Sequence, residues 1–499
     1  MTERKTKIVC SLGPATGSDE AIRALIQAGM NVARFNFSHG THAEHGAQME
    51  KTRRMSAELG MPVAIMLDTK GPEIRTGLVG STTGGGEGTG TVDFHAGDLI
   101  EVDASDAPTT PPSSSQPGHI SLSWKEVAQK VKPGVKILIA DGLFELSVLS
   151  TDGKTVQCKA LNNATLGSRK NVNIVGVHAG LPIMSEQDKS DLAFGAEQNV
   201  DLISASFVSF PHEVEEIRDF LAAHGNHAHI IAKIESAEGV QNIEDIIKAA
   251  DGVMVARGDL AQQIPMEQIP LVQKDIIALA RKHGKPVITA TQMLDSMIEN
   301  PRPTRAELTD VANAIFDGSD AVMLSGETAN GAYPTAAVET MATIARTVEN
   351  SPEFKARAKA IAKDAFEEDG IEALIPTILS KATYDVATNI GAKGIVTPTL
   401  TGHTARLIAK YRPEQPVLAV TPNRTTFQTL LLSWGVIPLL APEGANSYDM
   451  SLLAEGFAID EGLAQKGDIL VLTAGLPVGS AQPLNTIRAL ILGNIEEEG

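Results

Sequence analysis

His229–Leu260 reads HIIAKIESAEGVQNIEDIIKAADGVMVARGDL, and the order of its apolar and charged residues decides the fold. A short apolar run, Ile230, Ile231, Ala232 and Ile234, suits a buried parallel strand. Asn242 follows as an N-cap, with Asp245 completing an imperfect capping box. Ile243, Ile246, Ile247 and Ala250 then recur at helical spacing and form one apolar face. A second apolar run, Val253 to Ala256, stops at Arg257-Gly258-Asp259. The stretch is a strand–helix–strand unit with charges at the C-terminal ends of its strands. That is where α/β folds bind ligands.

Strand alternation sharpens this. Residues two apart share a face, so Ile231, Lys233 and Glu235 line up from core to mouth. If the two strands are neighbours, Asp259 rises beside Glu235. Two carboxylates without histidine or thiol make an all-oxygen site suited to Mg²⁺ or Mn²⁺, completed by substrate and water. A lysine next to that metal can neutralise a developing oxyanion or a phosphoryl group in transfer. A lone Lys-x-Glu would more simply be an ion pair at a strand end; the second strand ending in Asp259 favours the metal site.

Working outward, 499 residues are enough for two to four domains. A formal net charge of −19 argues against nucleic acid or an anionic membrane as the main partner, though not against a local phosphate pocket. Cys10 and Cys158 are too few for a disulfide framework, which points to a reducing, cytoplasmic setting. Charged residues from Glu3 onward, with a strand directly after, give no expectation of a signal or transit peptide. No apolar run is long enough to span a membrane.

Strand candidates Lys7–Leu12, Val32–Phe37, Val63–Leu67, Leu202–Phe207, Ile230–Ile234, Val253–Ala256, Val287–Ala290 and Ala321–Leu324 alternate with helical patterns such as His42–Leu59, Leu271–Lys282 and Arg305–Phe316. About eight βα units predict a TIM barrel, with a doubly wound open sheet as the alternative. The alternation breaks after the third strand. Residues 76–180 carry two low-complexity pieces, GSTTGGGEGTG and DAPTTPPSSSQPG, among short strand-like runs, and predict a small β domain inserted on a barrel loop. GGGEGTG lacks a following Lys-Ser/Thr and reads as a solvated loop, not a Walker phosphate loop. The barrel then occupies 1–75 and 181–348, and 349–499 form a separate α/β sheet domain.

Two further motifs end barrel strands. In Arg34–Gly40 (RFNFSHG), alternation puts Arg34, Asn36 and Ser38 on one face. In Asp68–Arg75 (DTKGPEIR), Asp68 and Thr69 add oxygen ligands beside Asn36 and Ser38, enough for a monovalent cation such as K⁺. Capping and turn chemistry would account for the same residue types. ATQML (Ala290–Leu294) brings the Thr291 hydroxyl to the same mouth.

AKIESAEG, ARGD, RFNFSHG, DTKGPEIR and ATQML together resemble the pyruvate kinase family, over nearly the whole chain. The resemblance implies a barrel with an inserted β-barrel lid and a C-terminal regulatory domain, and transfer of a phosphoryl group from phosphoenolpyruvate to ADP, giving pyruvate and ATP. It implies that Glu235 and Asp259 hold Mg²⁺, that Lys233 stabilises the transferring phosphoryl and the enolate, and that Arg34 holds the phosphate. The backbone of Arg257 and Gly258, with Thr291, would clamp the carboxylate, and Thr291 would lie on the face where the enolate is protonated. Asn36, Ser38, Asp68 and Thr69 resemble K⁺ ligands; Asn36, Phe37, Ser38, His39, Arg75 and the lid residue Lys170 resemble nucleotide contacts. Such chemistry needs positioning and charge neutralisation more than covalent steps.

Glu73 implies dependence on K⁺, since a lysine there goes with independence. The chain departs from the family at Asn171 and Val175, where glycine and proline are usual, and at Ala261, usually glycine. Thr399, Leu400, Thr401, Gly402, His403 and Thr404 join a strand to a helix, which suits a phosphate, and resemble an effector loop for a sugar phosphate or nucleotide monophosphate. Gly475–Thr486 resembles the segment that closes over it. A homotetramer is implied as well. Two other readings are a catalytically silent metabolite sensor and a metal-dependent lyase or aldolase of pyruvate enolates; the presence of Arg34, Asp68, Arg75, Lys233, Glu235 and Asp259 weighs against the first, and the lid and C-terminal domain against the second.

Overall fold

The computed structural model describes residues 4–80, 90–361, 371–475 and 484–493. Eight parallel strands, Lys7–Ser11, Val32–Asn36, Ala64–Asp68, Leu202–Ala205, His229–Ile234, Gly252–Ala256, Val287–Ala290 and Ala321–Leu324, close into a barrel in sequence order. The doubly wound alternative is excluded by this closure. The helix ends follow their sequence signals. Thr41 with Glu44 and Thr304 with Glu307 form capping boxes, and Gly60 and Gly318 end the same helices in left-handed conformation.

Alternation sorts the barrel interior into layers. Val32, Met66, Leu202 and Ile231 belong to one buried interior cluster. Two residues further up the same strands stand Arg34, Asp68, Ser204 and Lys233, all buried. The interior therefore changes from apolar to polar on climbing toward the mouth. Leu431 and Leu432 of the C-terminal domain join the apolar cluster.

The opposite end carries a four-fold device. Asn31, Asp201, Asp251 and Asp320 each directly precede an even-numbered strand. Their backbone N–H groups donate to the carbonyls of Ile8, Ile65, Ile230 and Val287 at 2.9, 3.0, 2.9 and 2.9 Å. Their side-chain oxygens accept from the N–H groups of those same four residues, at 3.0, 2.7, 2.9 and 3.1 Å. Each Asx thus pins an odd strand to its even neighbour through both main-chain groups. The C-terminal domain uses one of these residues as its anchor: Arg412 donates to Asp320 at 2.9 Å, and the Trp434 N–H to the same carboxylate at 3.1 Å.

The lid forms a seven-stranded sheet and a two-stranded ribbon over its own apolar core. Its two edges meet, since Gly77 N–H donates to Ser121 O and Ser123 N–H to Arg75 O, so the sheet rolls up as a small barrel. Ile74–Arg75 pairs with Asn171 and Val172 and so joins the lid sheet. The C-terminal domain is a five-stranded sheet, parallel except for its last strand, Thr486–Ile491. Two expectations fall outside the described residues: the loop reading of 81–89, and most of the closing segment, 476–483.

The capping expectation at Asn242 is corrected. A one-turn helix, Ala237–Gln241, runs into Asn242 and leaves it at φ −98°, ψ 13°, not in the extended conformation of an N-cap. Its side chain donates instead to Ser209 O at 2.8 Å, tying the helix to the preceding loop.

Candidate active site

The fifth and sixth strands are neighbours, with Lys233 in register with Met254. This brings the parts of the opening stretch together. Lys233 Nζ lies 3.0 Å from Glu235 Oε1 and 3.3 Å from Asp68 Oδ1, and donates to Ser206 Oγ at 2.7 Å. Arg34 Nε donates to Asp68 Oδ2 at 2.8 Å, and its Nη1 to Ser11 Oγ at 2.7 Å. The four charged residues form one chain, Arg34–Asp68–Lys233–Glu235, across strands that are distant in sequence.

Burial works against the Lys233 ammonium, yet Asp68 and Glu235 outweigh it and hold its pKa at about 12. Burial also opposes ionisation of Asp68, but Arg34 and Lys233 keep that carboxyl below its usual range. Glu235 shares its one cation with Asp68. Burial lifts it to about 7, Lys233 opposes the rise, and the charge of Asp259 adds to it. Its Oε2 accepts the Phe207 N–H at 2.7 Å, whereas Oε1, close to Lys233, receives no aligned hydrogen bond. A fully buried carboxylate oxygen in that state suits a cation. Among the described residues no group of three or more His, Cys, Asp or Glu could hold a metal by itself. Two carboxylates without histidine or thiol, as Glu235 and Asp259 are, would suit a hard cation such as Mg²⁺ whose remaining ligands are not protein.

On the other side of the mouth, Gly258 N–H donates to Thr291 Oγ1 at 2.9 Å, and that hydroxyl donates to Ala290 O at 2.7 Å. Thr291 sits at φ 67° and Gln292 at φ 53°. A β-branched residue in the left-handed region is strained by about 1–3 kcal/mol, a device that persists where the surroundings over-determine it. The Arg257 guanidinium is engaged elsewhere, with Asp310 at 2.7 Å and with the carbonyls of Ala290 and Thr291 at 3.1 and 2.6 Å. Only its backbone is left to face a ligand.

Asn36 pairs with Asp68 across the second and third strands. Asn36 Oδ1 accepts the Ser38 N–H at 3.1 Å, and Phe37 N–H donates to Asp68 O at 3.0 Å. Thr69 Oγ1 accepts the Ser206 N–H at 3.1 Å. The four oxygen-bearing residues expected around K⁺ are therefore neighbours, although the Asp68 carboxylate already serves two cations. His39 is exposed beside them, while the Phe37 side chain is buried against the His45 ring, 4.3 Å between centroids. Arg75 and Lys170 come together at the lid base: Lys170 N–H donates to Thr76 Oγ1 at 2.9 Å and Arg75 Nη1 to Arg169 O at 2.9 Å. Glu73 accepts from Arg75 at 2.6 Å.

The C-terminal loop keeps its hydroxyls for itself. Thr399 Oγ1 accepts from Gly402 N–H at 2.9 Å, and Thr401 Oγ1 from His403 N–H at 3.4 Å. The Leu400 carbonyl accepts from Thr426 Oγ1 at 2.6 Å, and the Thr404 side chain is half-buried. Sequence reasoning missed Ser11 and Ser206, which hold Arg34 and Lys233. Their signal is a hydroxyl at the end of a strand or just past it, in KIVCS and in LISASFVSF.

Residues 3–338 match the family model "Pyruvate kinase, barrel domain", and residues 378–490 match "Pyruvate kinase, alpha/beta domain". A pyruvate kinase of Clostridium acetobutylicum is 43% identical over 493 residues, 98% of this chain and 100% of that protein. One of Geobacillus stearothermophilus is 44% identical over 500 residues, 100% of this chain and 82% of that protein. The solved structure of a pyruvate kinase from Cryptosporidium parvum superposes with a TM-score of 0.89 at 37% identity, covering 98% of this chain and 96% of that one.

Proposed function

The chain belongs to the pyruvate kinase family, and from that premise we propose how its residues transfer the phosphoryl group of phosphoenolpyruvate to ADP. The observation that carries the assignment of roles is the buried chain Arg34–Asp68–Lys233–Glu235 at the top of a sealed barrel. Arg34, held from behind by Asp68 and Ser11, binds the substrate phosphate. Lys233, kept charged by two carboxylates, faces the phosphoryl group and neutralises the enolate that remains after transfer. Glu235 and Asp259 would hold Mg²⁺, which when bound would supply Lewis-acid charge for the transfer. The Gly258 N–H and Thr291 Oγ1, now bonded to each other, exchange that bond for the substrate carboxylate, and Thr291 then marks the face on which the enolate is protonated. Asn36, the Phe37 backbone, Ser38, His39, Arg75 and Lys170 contact the nucleotide.

Asn36, Ser38, Asp68 and Thr69 would hold K⁺, which when bound would offset the negative charge of substrate and nucleotide. Glu73 supports K⁺ dependence, since a carboxylate at this place cannot substitute for the cation. The test is turnover of phosphoenolpyruvate with ADP and Mg²⁺, in K⁺ and in a large organic cation. Strong turnover only in K⁺ is expected. Full activity without K⁺ would remove the monovalent site, and no turnover in either salt would remove the assignment of roles.

An effector phosphate at Thr399–Thr404 rests on the resemblance; kinetics indifferent to sugar phosphates and nucleotide monophosphates would remove it. A homotetramer is the proposed assembly. Exposed Met266, just before the Ile269–Lys282 helix, and exposed Leu271 in its first turn supply apolar surface for it. No helix among the described residues is long and apolar enough to cross a membrane, and two buried free cysteines agree with a cytoplasmic setting.

A further inference from the structure

Among the described residues, the side-chain hydrogen bonds and ion pairs between lid and barrel fall at two places, one just past the helical turn that carries Asp259 and one in the short helix that follows Glu235. Within lid strand Asn171–Ile174, Val172 and Ile174 are buried in the lid core, so alternation turns Asn171 and Asn173 outward. Asn171 is taken up inside the lid by Asp141. Asn173 is not. Its Nδ2 donates to Gln262 Oε1, and its Oδ1 accepts from Gln263 Nε2 at 3.1 Å. Gln262 and Gln263 extend the helical turn Arg257–Leu260, the one that presents the Gly258 amide and Asp259: Gln262 N–H donates to Asp259 O at 3.0 Å. The second contact lies in the segment that leads back from the lid. His178 Nδ1 is 2.5 Å from Glu238 Oε2, and its ring packs edge-on against Phe210. Glu238 is in the one-turn helix that begins at Ala237, directly after Glu235 and its neighbour Ser236.

Between the lid and the barrel lies a cavity of about 340 Å³ whose walls include Glu73, Asn173, His178, Asp259 and Gln263. That volume is within the range of small-molecule sites. The two contacts stand at its margin.

We infer that Asn173 with Gln262 and Gln263, and His178 with Glu238, form a two-point latch that sets the lid and the two metal-bearing turns as one unit. Asn173 and His178 are positioning residues, acting on Asp259 and Glu235 through the helices they grip. This rests on the phosphoryl-transfer reading of the site. An amide side chain that both donates and accepts across the gap fixes distance and orientation together, which a single surface contact does not. A lid latched in this way excludes water from the cavity and holds the carboxylates in place before substrate arrives.

The test uses the full-length protein with Asn173→Ala, Gln263→Ala, their double variant and His178→Ala. Amide hydrogen exchange without substrate is read at residues 237–241 and 258–263, together with steady-state kinetics. Loss of the latched population is expected to lower kcat/KM about tenfold, mainly through KM. Faster exchange is expected at 258–263 for Asn173→Ala, although the substitution is in the lid, and at 237–241 for His178→Ala. Gln263→Ala removes one of the two bonds that Asn173→Ala removes, so the double variant should be no worse than Asn173→Ala alone. Additive losses, or wild-type exchange and wild-type KM in all variants, would overturn the latch while leaving the reaction intact. A wild type without turnover would instead remove the phosphoryl-transfer reading, and the exchange rates would still decide whether the latch exists.

Discussion

The two ends of the barrel both bury charged side chains, and they treat them differently. At the lower end Asp320 is 6% exposed and Arg412 4%. The carboxylate there accepts the Val287 and Trp434 amides and pairs with Arg412, so its oxygens are matched. Asn31 and Asp251 are paired in the same style, with Arg4 at 3.0 Å and Arg218 at 2.9 Å. At the upper end one ammonium, Lys233, is divided between Asp68 and Glu235, and Glu235 Oε1 lacks an aligned donor. Positive φ occurs at both ends, at Phe207, Thr291 and Gln292 above and at Arg412 below, and Arg412 Nε is itself without a hydrogen-bond partner. Buried charge alone therefore does not mark a functional site. What sets the upper end apart is one ammonium shared by two buried carboxylates, a charge arrangement left for something outside the chain to complete.

The largest effect that would break this contrast is expected at the top. Lys233→Met keeps most of the volume and removes the shared ammonium. Turnover of phosphoenolpyruvate should fall roughly a thousandfold or more, in line with loss of a pre-organised charge at the transferring group. The measurement is kcat on protein shown to be folded by circular dichroism. A variant that retains its turnover would make the upper cluster as structural as the lower one.

At the bottom the expected effect is on stability. Asp320→Ala leaves Arg412 buried without its carboxylate and two amides without an acceptor. Loss of one partner of a buried pair costs about 3–5 kcal/mol, to be read from chemical denaturation, while kcat per folded molecule stays near the wild-type value. A loss below about 1 kcal/mol would mean that the Asx device is ornamental.

Much of the upper end was legible from local pattern. Alternation within AKIES put Lys233 and Glu235 on one interior face, and the next strand ending in RGD supplied the second carboxylate. The supporting residues were not legible for a physical reason. Ser11 acts on Arg34, Ser206 on Lys233, and Asp201 on Ile65 at a separation of 136 residues. Each is one short polar residue at a strand end, which from sequence reads as ordinary turn chemistry. Asn242 shows the converse error, since a residue with good capping propensity was recruited by Ser209 instead. The latch glutamines follow the ARGD motif within a few residues, but their partner Asn173 comes from another domain. Periodicity describes a single element and is silent on such cross-domain contacts.

The smallest prediction bears on whether the lower carboxylates need their charge at all. Asn31 occupies one of the four positions as a neutral amide, and its Oδ1 accepts the Ile8 N–H as the aspartates do at theirs. Asp201 is the member whose charge is least favoured: burial lifts its pKa to about 6, against the opposing effects of the Ile65 amide, Arg53 and Arg424. Its folded pKa therefore exceeds its unfolded one, and the folded state holds the proton more tightly. The resulting contribution to stability is present below the usual carboxylate pKa and is lost as pH rises through about 6. Because Asp201 is only half-buried, the loss is limited to about 1–2 kcal/mol. Asp201→Asn keeps the acceptor for Ile65 and deletes the titration. The variant should gain stability relative to wild type as pH is raised from about 4 to 7, measured as the difference between two denaturation series so that all other groups cancel. A difference that stays flat, or a variant that is the weaker at neutral pH, would show that Arg53 and Arg424 require the charge. The lower end would then be a set of ion pairs and not of hydrogen-bonded clamps.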